Sequence, residues 1–136
     1  MGKRYLVDTN ILIAFLERSL PATGQDFVAT VIDTEFIISI INRIEILGYH
    51  DVSEETRNFI QLASVIELDK SVAEATINIR KSRKVKLPDA IIAATAIAND
   101  LTLITRNKKD FQQIPNVEIV DPFSVTAENV ARLLGD

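Results

Sequence analysis

Four acids stand where a carboxylate has work to do or a cost to carry. Asp8 ends the apolar run Tyr5-Leu6-Val7 and is followed by Thr9 and Asn10. Glu45 lies in Ile41-Asn42-Arg43-Ile44-Glu45-Ile46-Leu47-Gly48. At about 100° per residue it falls on one arc with Ile41, Ile44 and Gly48, so it points where apolar side chains point. A charge placed there is expensive unless paired, the plainer reading being a partner arginine or a boundary position. Asp89 follows Pro88 at the head of Ala90 to Ala98, a helix whose only polar residue is Thr95. Asp110 closes Thr105-Arg106-Asn107-Lys108-Lys109-Asp110, in front of Phe111. Each has an ordinary alternative: Asp8 caps a helix, Asp89 complements a helix dipole, and Asp110 is a solvated loop acid beside two lysines.

Carboxylates brought within a few ångström of one another repel, which raises at least one pKa unless a cation is bound. The donors here are hard oxygens. Cys is absent and the single His50, after the Gly48 stop, reads as a loop residue rather than a general base. That donor set selects Mg²⁺ or Mn²⁺ over Zn²⁺ or Cu²⁺. Such a site activates water and neutralises charge on a transferring phosphoryl group.

The elements that must carry these residues alternate between strand and helix. Leu6-Val7 is a first strand, followed by a helix from Thr9 to Arg18 that stops at Ser19-Leu20-Pro21. A helix over about Gly24 to Asp33 leads to strand two, Glu35 to Ser39, and then to the helix of Glu45, ended by glycine. Ser53 opens a helix reaching Ala63, with Phe59, Ile60 and Leu62 turned inward. Val65 to Leu68 is strand three, and Asp69 caps a helix from Lys70 to Arg83. Thr102 to Thr105 is strand four, Asn107 to Phe111 a turn or short helix, and Val117 to Val120 strand five. Asp121-Pro122 is a turn, and Ser124 to Leu134 forms a closing amphipathic helix. The expected fold class is therefore α/β, with about five strands in a mainly parallel sheet, helices on both faces and right-handed crossovers. In such a sheet the carboxyl ends of the strands form the ligand crevice, and Asp8 lies there by position.

Composition narrows the classes. The 136 residues, 47% hydrophobic, suit one domain with a core of its own, without repeats or linkers. Asp8 and Asn10 interrupt the N-terminal apolar segment, which argues against a signal peptide or membrane span. A soluble, cytoplasmic protein is expected, and the absence of Cys agrees with a reducing compartment. Lys and Arg number 15 against 19 Asp and Glu, a net charge of −4. Bulk charge therefore does not coat nucleic acid, and any such contact needs a local basic patch.

The pieces Leu6-Val7-Asp8-Thr9-Asn10, Glu45 after strand two, Asp89-Ala90-Ile91-Ile92-Ala93-Ala94-Thr95-Ala96 and Thr105 to Phe111 run in an order that resembles PIN-domain ribonucleases, and among them VapC-type toxins. The resemblance covers nearly the whole chain. It implies a three-layer PIN-like fold and a Mg²⁺- or Mn²⁺-dependent endoribonuclease acting on structured RNA such as tRNA. Residue by residue it implies Asp8, Glu45 and Asp89 as principal catalytic and metal-binding acids and Asp110 as a more variable fourth. Asn107 would help hold water there, while Thr9, Asn10 and Ser39 would be polar residues beside the acids or the substrate. It further implies a separate small antitoxin whose tail blocks the site, and a homodimer, for which aliphatic positions on the helix Ser53 to Ala63 are available.

Two basic clusters flank the acids: Arg80-Lys81-Ser82-Arg83-Lys84-Val85-Lys86, and Arg106 with Lys108 and Lys109. Arg83, Lys84, Lys86, Arg106 and Lys108 are candidates to grip RNA phosphates. The alternative for the first run is a cationic helix C-terminus. Competing functions fall away on single residues. A haloacid-dehalogenase-type phosphotransferase needs an acid where Asn10 stands, and a receiver domain needs a lysine that Val120-Asp121-Pro122 lacks. The remaining alternative is a PIN-like module that binds RNA or protein without cutting it.

Overall fold

The computed structural model describes residues 2–135. In chain order they form β1 (Tyr5–Val7), α1 (Thr9–Leu16), α2 (Ala22–Thr34), β2 (Ile37–Ser39), α3 (Ile40–Leu47), α4 (Glu54–Gln61), β3 (Ser64–Ile66), α5 (Lys70–Ser82), α6 (Leu87–Ala98), β4 (Thr102–Ile104), α7 (Lys108–Phe111), β5 (Ile119–Val120) and α8 (Ala127–Gly135). The expected order of elements is present. The bounds differ at the ends, where local geometry decides. Helix α1 stops at Leu16 rather than Arg18, because Arg18 adopts a left-handed conformation (φ 56°) while the Ser19 N–H donates to the Ala14 carbonyl.

All strand pairs are parallel, but they form two ladders rather than one sheet. One ladder runs β1-β4-β5 and the other pairs β2 with β3. Strand β2 packs alongside β1, so the layer reads β3-β2-β1-β4-β5, yet among the described residues no backbone hydrogen bond joins β1 to β2.

Alternation along the strands feeds two cores. Tyr5, Val7, Ile38 and Ile104 face one side, where Ile11 and Leu12 of α1, Phe27, Val28 and Val31 of α2, Ile60 of α4 and Leu133 of α8 cover them. Leu6, Ile37 and Leu103 face the other side, under Val72 and Ile79 of α5 and the alanine-rich face of α6. Strands buried on both faces read as unbroken apolar runs, as these do. Helix α6 is buried from Ala90 through Ala96, as its composition demands. On α4 only Ile60 is buried. Phe59 packs at the margin of the core, and Leu62, expected to face inward, is 76% exposed because it lies about 200° round the helix from Ile60.

Close packing fixes one loop. A Cβ on Gly24, within α2, would lie 1.9 Å from the Pro122 carbonyl oxygen, so the segment after β5 rests directly on the helix backbone.

Candidate active site

The site is built at the carboxyl end of β1, between β2 and β4, where the chain's connections part in opposite directions. Asp8 immediately follows β1, and its N–H donates to the Ile104 carbonyl at 3.0 Å, which continues the ladder to β4. Its side chain is the N-cap of α1, accepting from the Thr9 N–H at 2.9 Å. The capping and site readings of Asp8 are thus one geometry. Three further donors reach the same carboxylate: the Asn42 amide at 3.1 Å, the Thr105 hydroxyl at 2.8 Å and the Asn10 amide at 3.4 Å.

These bonds do not return what burial takes away. Asp8 is only 5% exposed, and loss of water raises its carboxyl pKa above the ordinary value. The donors from Thr105 and Thr9 oppose the rise, while the charges of Glu45 and Asp89 add to it. Asp89 behaves alike. Partial burial raises its pKa first, the negative charges of Asp110 and Glu45 add to that, and Lys86 opposes it. The four sequence-predicted acids therefore stand in one another's electric field.

Their immediate partners differ. Glu45 accepts from the Thr9 hydroxyl at 2.7 Å, and Asp110 accepts from the Asn107 amide at 3.0 Å. Among the described residues no three acidic side chains converge as a finished ligand cage. Glu45 also corrects the helical-wheel expectation: it is exposed, and the buried face of α3 carries Asn42 and Ile46 instead. The arc of Ile44, Glu45 and Gly48 lines an open cleft of about 620 Å³ together with Asp8, Thr9, Asn10, Asp89 and Asn107. The arc was real, but its environment is the cleft and not the core.

Asn42 and Thr105 are the residues that sequence reasoning passed over. Both are fully buried. Asn42 is the third residue of α3, in a capping box with Ser39: the Asn42 N–H donates to the Ser39 hydroxyl at 3.0 Å, and the Ser39 N–H donates to the Asn42 side-chain oxygen at 2.9 Å. That turns the amide nitrogen toward Asp8 and toward the Thr9 hydroxyl, at 3.0 Å. Ser39 touches none of the acids; it holds Asn42, which does. The available signal was Ser39-Ile40-Ile41-Asn42, a capping-box spacing with Asn in the place of Glu or Gln. Thr105 likewise links Asp8 to the following loop, accepting from the Asn107 N–H at 3.0 Å and from the Asn10 amide at 3.4 Å.

The basic candidates divide. Arg83 donates to the carbonyls of Gln113 at 3.0 Å and Ser82 at 2.9 Å, so it braces the end of α5. Lys108 lies 3.8 Å from Asp121. Arg106 lies over the Phe123 ring at 4.0 Å. Lys84 and Lys86 are exposed and make no ion pair among the described residues.

The sequence profile of the PIN domain matches residues 5–117, which include all four acids. The chain belongs to the PIN-domain family. Ribonuclease VapC1 of Rickettsia felis is 31% identical over 128 residues, covering 85% of this chain and 93% of that protein. Among solved structures, a toxin–antitoxin complex from Klebsiella pneumoniae contains a chain 35% identical, with a TM-score of 0.68, covering 89% of this chain and 99% of that one. VapBC2 from Rickettsia felis, bound to a DNA fragment from its promoter, shares the fold at 22% identity and a TM-score of 0.69, over 85% of this chain and 96% of that one. This PIN domain thus stands with the VapC-type ribonucleases.

Its donor chemistry fits a hard divalent cation. The cleft offers the carboxylates of Asp8, Glu45 and Asp89 and the side chain of Asn107, with no sulfur or imidazole among its lining residues. Two of those acids already pay for their charge, which a bound cation relieves.

Proposed function

We propose that this chain is a Mg²⁺- or Mn²⁺-dependent endoribonuclease that cleaves structured RNA, tRNA included, as the toxin of a toxin–antitoxin pair. The observation that carries the reading is Asp8: a buried carboxylate held by four donors at the switch point of the strand layer, with Glu45 and Asp89 in its field. A structural cap does not need that company.

Asp8, Glu45 and Asp89 would hold the cation, with Asp110 beside them. A divalent ion bound there supplies neutralisation of charge at the scissile phosphate and a lowered pKa for water at the site. The chain's own groups do the rest. Asp8 is fixed in direction by its four donors, so its position is set before RNA arrives. Thr9 orients Glu45, and Asn107 orients Asp110. The protein carries net charge −4, so grip on the RNA backbone falls to local cations. Lys84 and Lys86 serve best, being exposed and without ion-pair partners among the described residues.

A separate small antitoxin would restrain the enzyme in the cytoplasm, in line with the toxin–antitoxin complex from Klebsiella pneumoniae whose chain it matches. The protein would form a homodimer, for which exposed aliphatic side chains such as Leu62 are available. The test is cleavage of labelled total tRNA with Mn²⁺ or Mg²⁺, beside an EDTA control and the folded variants Asp8→Asn and Asp89→Asn. Discrete products that vanish with chelation and in both variants support the reading. RNA that binds but is never cut with either metal favours a binding module.

A further inference from the structure

We propose that Arg106, lying on Phe123 and next in the chain to the cleft residue Asn107, is a nucleobase-stacking platform. The proposal rests on the ribonuclease reading above and names a contact that selects the bound nucleotide.

Position is the first argument. Arg106 sits between Thr105, whose hydroxyl donates to Asp8, and Asn107, which lines the cleft. Its backbone N–H donates to the Asn10 side-chain oxygen at 3.3 Å, and the Asn10 amide in turn reaches Asp8. The backbone of Arg106 is therefore tied to the reacting end of the site.

The second argument is what the side chain does. Its guanidinium carbon lies 4.0 Å from the centre of the Phe123 ring, well inside cation–π range. Arg106 is exposed, and its side chain makes no hydrogen bond or ion pair among the described residues. The other basic candidates Arg83 and Lys108, by contrast, face protein carbonyls and Asp121. Among the described residues this arginine pairs with no acid and no carbonyl. One laid on a ring and left open to water presents a flat cationic face, and unpaired bases stack on aromatic rings and on guanidinium planes.

The third argument is rigidity beneath. Phe123 is partly buried against the core on the α1–α2 side, its N–H donates to the Asp121 carboxylate at 2.9 Å, and Pro122 is pressed onto α2 at Gly24. A stacking surface gives selectivity when it does not move as the base arrives.

The experiment uses the full chain and the variants Arg106→Lys, Arg106→Gln and Phe123→Tyr, each with its melting temperature measured. Binding of single-stranded octamers of adenylate, of uridylate and of abasic ribose phosphate is followed by anisotropy in EDTA at several salt concentrations. Steady-state cleavage of tRNA with Mn²⁺ is measured in parallel. Wild type should prefer adenylate to the abasic octamer by roughly 5- to 100-fold, the scale of one stacked base. Arg106→Lys keeps the charge and should keep the salt dependence while losing most of that preference. Phe123→Tyr keeps a ring and should retain it. In cleavage, Arg106→Lys should raise KM more than it lowers kcat.

Equal binding of the abasic and adenylate octamers by wild type overturns the platform, as does an Arg106→Lys variant that matches wild type in both assays. In that event active cleavage leaves the ribonuclease reading standing. If wild type cuts no RNA, the ribonuclease reading fails and the octamer series still judges the platform.

Discussion

The Asn42 amide donates one hydrogen to Asp8 at 3.1 Å and the other to the Thr9 hydroxyl at 3.0 Å, leaving that hydroxyl's own hydrogen for Glu45 at 2.7 Å. One buried neutral side chain therefore sets the direction of two acids that lie on different elements. Thr9 completes the link, its N–H donating to Asp8 at 2.9 Å and its hydroxyl to Glu45.

Replacing Asn42 with Ala removes both donors and leaves buried acceptors unmet, at a stability cost of about 1–3 kcal/mol. Outer partners of metal-binding side chains are typically worth 10- to 100-fold in affinity or activity, so kcat/KM should fall by roughly that factor. Asn42→Asp, nearly the same shape but with the donors gone and a charge added, should be worse than Ala. Cleavage kinetics beside melting curves check this, and an Asn42→Asp enzyme as active as wild type would refute it.

Asp89→Asn makes a prediction in pH. The folded pKa of Asp89 is raised, so this group's stability contribution is fully present below its ordinary value of 3.8 and is lost as pH rises through the folded value. An amide has no charge to desolvate. In chelator, the variant should therefore gain on wild type as pH is raised from about 4 toward 7. Urea melts across that range measure the difference, and a difference that stays flat with pH would contradict the origin given for the shift.

Mn²⁺ should raise the melting temperature of the wild-type chain, because a ligand at about 100 times its Kd stabilises the folded state by about 2.7 kcal/mol. Asp8→Asn and Asp89→Asn should lose most of that gain. A wild-type melt indifferent to millimolar Mn²⁺ would remove these acids as its ligands.

Gly24→Ala should destabilise by about 2 kcal/mol or more, since the new Cβ would meet the Pro122 carbonyl oxygen at 1.9 Å and helix or loop must give way. Ala29→Gly, an ordinary helix substitution in the same α2, should cost only about 1 kcal/mol. Equal losses would show that the close approach carries no constraint.

The acids were legible because carboxylates are conspicuous against apolar runs: Asp8 after Val7, and Asp89 before the helix buried from Ala90 to Ala96. The order of strands and helices was legible for the same reason, since short apolar runs such as Leu6-Val7 and Ile37-Ile38 stand out between helical patterns. Asn42 and Thr105 were not, because a neutral polar residue carries no conspicuous cost until its neighbours are known. Glu45 was placed on the right arc and in the wrong surroundings, as a wheel reports direction and not what lies there. The basic run misled in part: charge predicted cations near the cleft, but only packing decides that Arg83 is spent on Gln113 and Ser82.

The missing ladder between β1 and β2 leaves the acids on two hydrogen-bonded ladders that shared cores hold side by side. Asp8 and Asp110 travel with the β1-β4-β5 ladder, and Glu45 travels with β2 through α3. At this end of the seam the stitches are side-chain bonds: Asn42 to Asp8 and Thr9, and Thr9 to Glu45. The placing of Glu45 relative to Asp8 is thus set by packing and a few side-chain bonds rather than by the backbone ladder of the strands.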